Sequence, residues 1–144
     1  MTVSHILGSK SRDVITVRPD DNVAKVVSLL AEKKIGAVVV TDDKQHIKGI
    51  VSERDVVRHL ASDGAALMKK SVEAIMTKNV RSCGEGDSEQ ELMALMTNFR
   101  IRHLPVVVAG KLVGMISIGD VVKHRMQAIE QDVDAMKAYI AGAA

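Results

Sequence analysis

Gly49-Ile50-Val51-Ser52-Glu53-Arg54-Asp55-Val56-Val57-Arg58-His59 returns later in the same chain as Gly114-Met115-Ile116-Ser117-Ile118-Gly119-Asp120-Val121-Val122-Lys123-His124. Gly, Ser, Asp, Val, Val and His recur unchanged, and most other apolar positions stay apolar. Upstream, Ile35-Gly36-Ala37-Val38-Val39-Val40 aligns with Ile101-Arg102-His103-Leu104-Pro105-Val106. The offset is 66 from Gly36 to Arg102 and 65 from Gly49 to Gly114, which places a one-residue deletion in the hairpin turn between the two blocks. Two copies are too few for a solenoid and point to an intrachain dimer of one small motif.

Each copy reads as β-α-β-β-α. Short apolar runs at Val14 to Val17 and Val80 to Cys83 precede acidic caps, Asp20 or Asp21 in the first copy and Asp87 or Ser88 in the second. Val23, Val26, Val27 and Leu30 then fall at helical spacing, as do Leu92, Leu95 and Met96. Strands are predicted at Ala37 to Thr41 and Ile47 to Val51, and at Leu104 to Val108 and Leu112 to Ser117. A second helix starts at Ser52 and again at Ser117. Ser62 to Lys78 joins the copies, with a short helical lead-in at Val72 to Met76. The resulting division is 1–62, 63–124 and a helical extension over 125–144. In that extension Met126, Ile129, Val133, Met136 and Ile140 repeat at 3-4 spacing and Gly142 supplies a stop. The stripe suits either packing on its own domain or a seam between subunits, and a homodimer is expected.

Composition removes several classes. At 144 residues and 15.5 kDa, with 47% hydrophobic and 26% charged residues, the chain can bury a core without staples. The single Cys83 excludes an internal disulfide, and no Cys/His spacing suggests zinc. No apolar run reaches the ~18 residues of a membrane span and no signal peptide is visible, so a cytoplasmic address is the default. A net charge of +2, with Phe99 and Tyr139 as the sole aromatic residues, argues against nucleic acid. Neither a nucleophile with its base, nor a metal motif, nor a Walker loop is present, so a binding protein is expected rather than an enzyme.

The repeated Ser-x-x-Asp is the most informative element. As a single occurrence it reads first as a capping box. A helix N-terminus following a strand also offers free N–H groups to a phosphate, and an ionised Asp one turn in can accept both hydroxyls of a ribose. Duplication after a glycine-bearing strand shifts the reading toward paired nucleotide clefts.

These blocks, together with Ile75-Met76-Thr77 and Val107, resemble the paired cystathionine-β-synthase (CBS) domains, also called Bateman modules, over essentially residues 4 to 124. The resemblance implies a stand-alone α/β protein of two β-α-β-β-α repeats about an intrachain pseudo-twofold axis, with two clefts for adenosine-containing ligands. Carried over by position, Asp55 and Asp120 match the ribose binders, and Ser52 and Ser117 match the hydroxyls on the phosphate side. The segments starting at Thr16 and Ser82, with Gly36, Ala37, His103 and Leu104, match positions around adenine or facing phosphates. Val17, Ile35, Val38, Glu53, Arg54, Arg100, Arg102, Pro105, Ile118 and Gly119 complete the candidate nucleotide-binding set.

The clefts differ. Arg54 lies inside the first Ser-x-x-Asp where Gly119 stands in the second, and Arg100, Arg102 and His103 charge the second copy where the first has Lys34, Gly36 and Ala37. Guanidinium groups suit phosphate, whereas Gly36-Ala37 lets a purine approach the backbone. One well-furnished cleft with contributions from both copies follows, and occupancy of the other stays open. Cys83, standing where the first copy has Val17, reads as a small buried hydrophobe. His59 and His124 read as dipole partners late in their helices, the methionines as core filler, and Lys33-Lys34 and Lys69-Lys70 as solvated pairs.

The reading is therefore an adenine-nucleotide sensor. AMP is the first choice, with ATP, ADP, NAD and S-adenosylmethionine open, no catalytic cofactor, and a regulated protein that no motif identifies. The alternative is a constitutive dimerisation or protein-interaction module with vestigial clefts.

Overall fold

The computed structural model describes residues 2–8 and 13–143; Met1, residues 9–12 and Ala144, which fall within the segments assigned above, lie outside it. A short helix α1 (Val3–Gly8) precedes β1 (Thr16–Val17), α2 (Val23–Lys33), β2 (Ala37–Thr41), β3 (Ile47–Ser52) and α3 (Glu53–Asp63). Two 3₁₀ segments, Gly64–Lys69 and Val72–Ala74, lead to α4 (Glu89–Phe99), β4 (His103–Val108), β5 (Lys111–Ser117) and α5 (Ile118–Ala143). The first sheet runs β1-β2-β3, with β1 parallel and β3 antiparallel to β2; the second is the antiparallel pair β4-β5. The hairpin deletion read from the sequence is present: Thr41 pairs with Ile47 across five residues, and its equivalent Val107 pairs with Leu112 across four.

Valine-rich β2 is buried along its whole length, as a strand covered on both faces must be. The strand expected at Val80 to Cys83 contracts to one parallel bridge, in which Cys83 donates to Pro105 O and accepts from Val107 N, both at 2.9 Å. Arg81 and Ser82 are exposed and only Cys83 is buried, so little apolar surface holds more of this run against β4.

The helix caps are Asn22, not Asp20 or Asp21, and Ser88, each accepting from the backbone N–H three residues on. Asp21 and Asp87 instead close the preceding turns, accepting from Arg18 N and Gly84 N at 2.8 Å. Both helices end on a left-handed residue, Lys34 (φ 54°) and Arg100 (φ 52°). The extension expected at 125–144 is no separate element. α5 runs unbroken from Ile118 through Gly142, because Gly119 and Gly142 lie at its frayed ends and no proline interrupts it. His124 therefore sits in the second turn of a 26-residue helix, where no C-terminal dipole is available to it.

Each core is completed from the opposite half. Val3, Ile6 and Leu7 of α1 pack with Cys83, Leu92, Met96, Leu104, Val106, Ile116 and Val121 of the second repeat. Leu67, Val72 and Ile75 pack with Val17, Val23, Val26, Val38, Val40 and Val51 of the first. The ties are symmetric: Val3 N donates to Asp87 O (2.9 Å) and Ser4 N to Glu85 O (3.0 Å), while Val72 N donates to Asp21 O (2.7 Å) and Glu73 N to Pro19 O (3.0 Å). Leu7 lies over Gly114 and Met76 over the equivalent Gly49, where a Cβ would come within 2.8 Å and 2.7 Å of those side chains. At Gly49 the rigid Thr77 carbonyl is also 3.0 Å away. Gly49→Ala should cost about 1–3 kcal/mol by overpacking, and Gly114→Ala clearly less, because only a leucine tip must turn. Urea unfolding of both variants checks this; equal midpoints would contradict it.

Candidate functional site

The strand-to-helix junction at Ser52 builds the floor of the site. Ser52 takes the N-cap conformation of α3 and its Oγ accepts from Asp55 N (3.3 Å), while Asp55 Oδ2 accepts from Ser52 N (2.9 Å) and from Ser52 Oγ (3.2 Å). The capping-box reading is thus realised in full. It also leaves Asp55 Oδ1 outside the box, 4.0 Å from an Arg58 guanidinium nitrogen, on a carboxylate that is almost fully buried. The second junction repeats the pattern: Asp120 Oδ2 accepts from Ser117 N (2.9 Å) and Ser117 Oγ from Asp120 N (3.1 Å). In both copies the first helical N–H is bound to the β-strand entry, Glu53 N to Gly36 O at 3.0 Å and Ile118 N to Arg102 O at 2.8 Å. The helix start and the β2 or β4 entry are thereby locked side by side.

Over the first junction lies a cavity of about 770 Å³ between the two repeats, within the size range of small-molecule sites. Of the candidate residues it brings together Gly36, Ala37, Ser52, Glu53, Arg54 and Asp55 from the first repeat with Arg100, Arg102 and His103 from the second. Gly36 lies close under His103: a Cβ would stand 2.8 Å from His103 Cε1, so a larger residue there would displace the imidazole. Arg54 reaches across the boundary and donates to Arg100 O (3.3 Å).

The remaining candidates do not line this cavity. Val17, Val38 and Leu104 turn their side chains into the two cores, Pro105 is buried with its carbonyl bound to Cys83 N, and Ile35 packs on the first core. Alternation along β2 and β4 puts Val38 and Leu104 on the face opposite the cavity-lining Ala37 and His103. Thr16 and Ser82 are exposed outside it. Ser117, Ile118, Gly119 and Asp120 belong to the second junction and lie outside this cavity.

Several lining residues escaped the sequence reading. Arg58 extends from α3 one turn after Arg54, a spacing the helical period makes legible. Arg81 stacks on Phe99, 3.5 Å from the ring centroid, and both line the cavity with Val57, Thr77, Asn79, Val80, Ile50 and Ile101. Their equivalents in the other copy are Ile15 and Lys33, so comparison of the repeats hides the pair. Five arginines, Arg54, Arg58, Arg81, Arg100 and Arg102, therefore surround a site whose carboxylates are Glu53 and Asp55. Such a cavity can hold a polyanionic ligand carrying an apolar or aromatic portion. Among the described residues no cluster of three or more His, Cys, Asp or Glu could hold a metal ion, and no helix is long and apolar enough to cross a membrane.

The family model described as CBS domain matches residues 3–62 and 72–127. The mitochondrial CBS domain-containing protein CBSX3 of Arabidopsis thaliana is 32% identical over 149 residues, covering 98% of this chain and 72% of that protein. The crystal structure of a CBS-domain containing protein from Agrobacterium tumefaciens superposes with a TM-score of 0.83 at 48% identity, over 86% of this chain and 92% of that one. CBSX2, solved in complex with AMP, matches with a TM-score of 0.74 at 28% identity, over 88% of this chain and 97% of that one.

Cys83 takes no part in the cavity. It is buried, its Sγ lies 3.7 Å from Pro105 O, and burial pushes its thiol up to about 12 from an ordinary 9.0, with Asp87 adding to the shift. The folded value lies above the unfolded one, so the neutral thiol contributes stability below pH 9 that is lost as pH rises toward 12. Cys83→Val, which installs the residue of the first repeat, should lose about 1 kcal/mol less stability than the native chain between pH 7 and pH 10. Urea midpoints at the two pH values test it, and identical losses would contradict the assignment.

Proposed function

The chain belongs to the CBS-domain family, and from that premise we propose that it is a regulatory module that senses an adenine nucleotide in the cleft over Asp55. The observation that carries the proposal is the pairing of one buried carboxylate with arginines from both repeats around a single cavity. Asp55 Oδ2 is committed to the capping box, and Oδ1 accepts the ribose hydroxyls. Arg54, Arg100 and Arg102 take the phosphate, with the N-terminus of α3 behind them. Gly36 and Ala37 admit the purine close to the backbone, against the apolar side chains of Ile50, Val57 and Val80. AMP is the first choice of ligand, and the AMP complex of the related CBSX2 supports it.

The mechanism follows from where the charges sit. Arg54 belongs to the first repeat and Arg100 and Arg102 to the second, so a phosphate between them favours the arrangement in which the repeats approach. Ligand shifts the protein toward that state by its difference in affinity for the two arrangements. The module acts by binding rather than by catalysis, and as a homodimer, which the exposed apolar side chains along α5 support. The same exposed stripe favours the second reading, a constitutive assembly module.

Thermal unfolding with AMP, ATP, NAD, S-adenosylmethionine and a guanosine control separates the two. A ligand at ~100 times its Kd adds about 2.7 kcal/mol to the folded state, a clear rise in Tm. Asp55→Asn is the informative variant, because its amide oxygen still accepts from Ser52 N while its NH₂ replaces the ribose acceptor. The sensor reading predicts a raised Tm for the native chain and no ligand response in a stably folded Asp55→Asn. No response of nucleotide-free native chain to any adenosine ligand would overturn it in favour of constitutive assembly.

A further inference from the structure

Over about its last three described turns, α5 is exposed on every side among the described residues. After Val121, whose side chain is buried, α5 leaves the body, and every residue from Gln131 to Gly142 is exposed. Met126, Ile129, Val133, Met136 and Ile140 are 46% to 66% exposed and, with Val122, repeat at 4-3-4-3-4 spacing along one face. An unpartnered helix of this length is marginal in water, and a 3.5-residue apolar repeat is the seam of a left-handed coiled coil.

We propose that α5 pairs with α5 of a second copy of this chain as a parallel, in-register, two-stranded coiled coil over residues 122–140. This deepens the homodimer of the proposed function and is independent of the ligand. The stripe assigns Met126, Val133 and Ile140 to position a and Val122, Ile129 and Met136 to position d. The flanking g positions then hold Arg125 and Asp132, and the e positions hold Lys123, Glu130 and Lys137. In a parallel pair each g residue meets the partner's e residue five positions on. Arg125 therefore faces the partner's Glu130, and Asp132 faces the partner's Lys137, so both contacts join opposite charges. Arg125 also lies 3.9 Å from the buried Glu89 of its own chain, so the Asp132 pairing is the cleaner of the two.

An antiparallel overlay of the whole stripe reverses this pattern. With Met126 opposite the partner's Met136, Glu130 faces the partner's Glu130, Asp132 the partner's Asp132, and Lys123 the partner's Lys137. Like charges then meet at every e–e pair and at the central g–g pair, and Arg125 faces only the partner's Tyr139. Sliding the helices to relieve the repulsion leaves two of the six apolar positions uncovered.

Sedimentation equilibrium and a single engineered cysteine test the proposal. Met136→Cys places a thiol at d, where a parallel pair brings it against its own copy within disulfide reach. In the full antiparallel overlay the same two thiols are about 15 Å apart. Native Cys83 does not compete, being buried with a thiol pushed up to about 12. Mild oxidation followed by alkylation before denaturation should give near-complete covalent dimer. Asp132→Lys should weaken dimerisation at least about fivefold, and adding Lys137→Asp should restore it. These residues are exposed, and circular dichroism verifies the fold. A dimer in which Met136→Cys forms no cross-link, or one indifferent to Asp132→Lys, overturns the parallel seam while leaving a homodimer standing. A monomer at every concentration overturns both, and neither outcome touches the adenosine reading.

Discussion

Two sets of backbone hydrogen bonds, from Val3 and Ser4 to the turn before α4 and from Val72 and Glu73 to the turn before α2, hold the two repeats in one body. Each repeat would otherwise expose the floor of its sheet, because β2-β3 and β4-β5 are too small to cover themselves. The chain segment before one repeat closes the core of the other: Ile6 and Leu7 cover the β4-β5 side, and Ile75 and Met76 cover the β2-β3 side. Exchange of this kind makes the halves mutually dependent. It also leaves the helix-start ends of the sheets facing one another, which is where the arginine-lined cavity forms.

The cavity shows how a structural device and a binding device share atoms. A capping box needs only one carboxylate oxygen, so Asp55 and Asp120 can hold their helices while presenting a second oxygen elsewhere. Around Asp55 the partial symmetry of the repeats is broken by charge. Arg54 and Arg81 stand where the second junction has Gly119 and Ile15, and the stacked Arg81 and Phe99 have no counterpart. Duplication supplied two frames, and substitution furnished them differently.

Much of this was legible in the sequence, because strand and helix positions fall at the same offset in both copies and their apolar periods agree. Arg54, Arg100, Arg102 and Gly36 were legible for the same reason: they are the places where aligned copies differ in charge or size. The lead-in to the second copy was legible at Val72 to Met76, but its counterpart was not, although Val3-Ser4-His5-Ile6-Leu7 and Val72-Glu73-Ala74-Ile75-Met76 are also copies. Their offset is 69 rather than 66, since three more residues separate Leu7 from the first strand, and a fixed-offset comparison passes over them. Family positions carried over as neighbours, such as Val38 and Leu104, mislead for a simpler reason. Adjacent residues in a strand face opposite sides, and one of each pair must serve the core. The continuity of α5 escaped because the division at 124/125 follows the end of the repeated segment at His124, whereas the helix carries on through it.

In the proposed function, the cleft built by both repeats over Asp55 receives an adenosine nucleotide. Amide chemical-shift perturbation of the ¹⁵N-labelled chain on titration with AMP tests it most directly. Saturable shifts are expected at Gly36 and Ala37, at Ser52 to Asp55 and at Arg100 to His103, on both sides of the repeat boundary. Shifts confined to one repeat, centred on another surface, or absent at saturating nucleotide would contradict it.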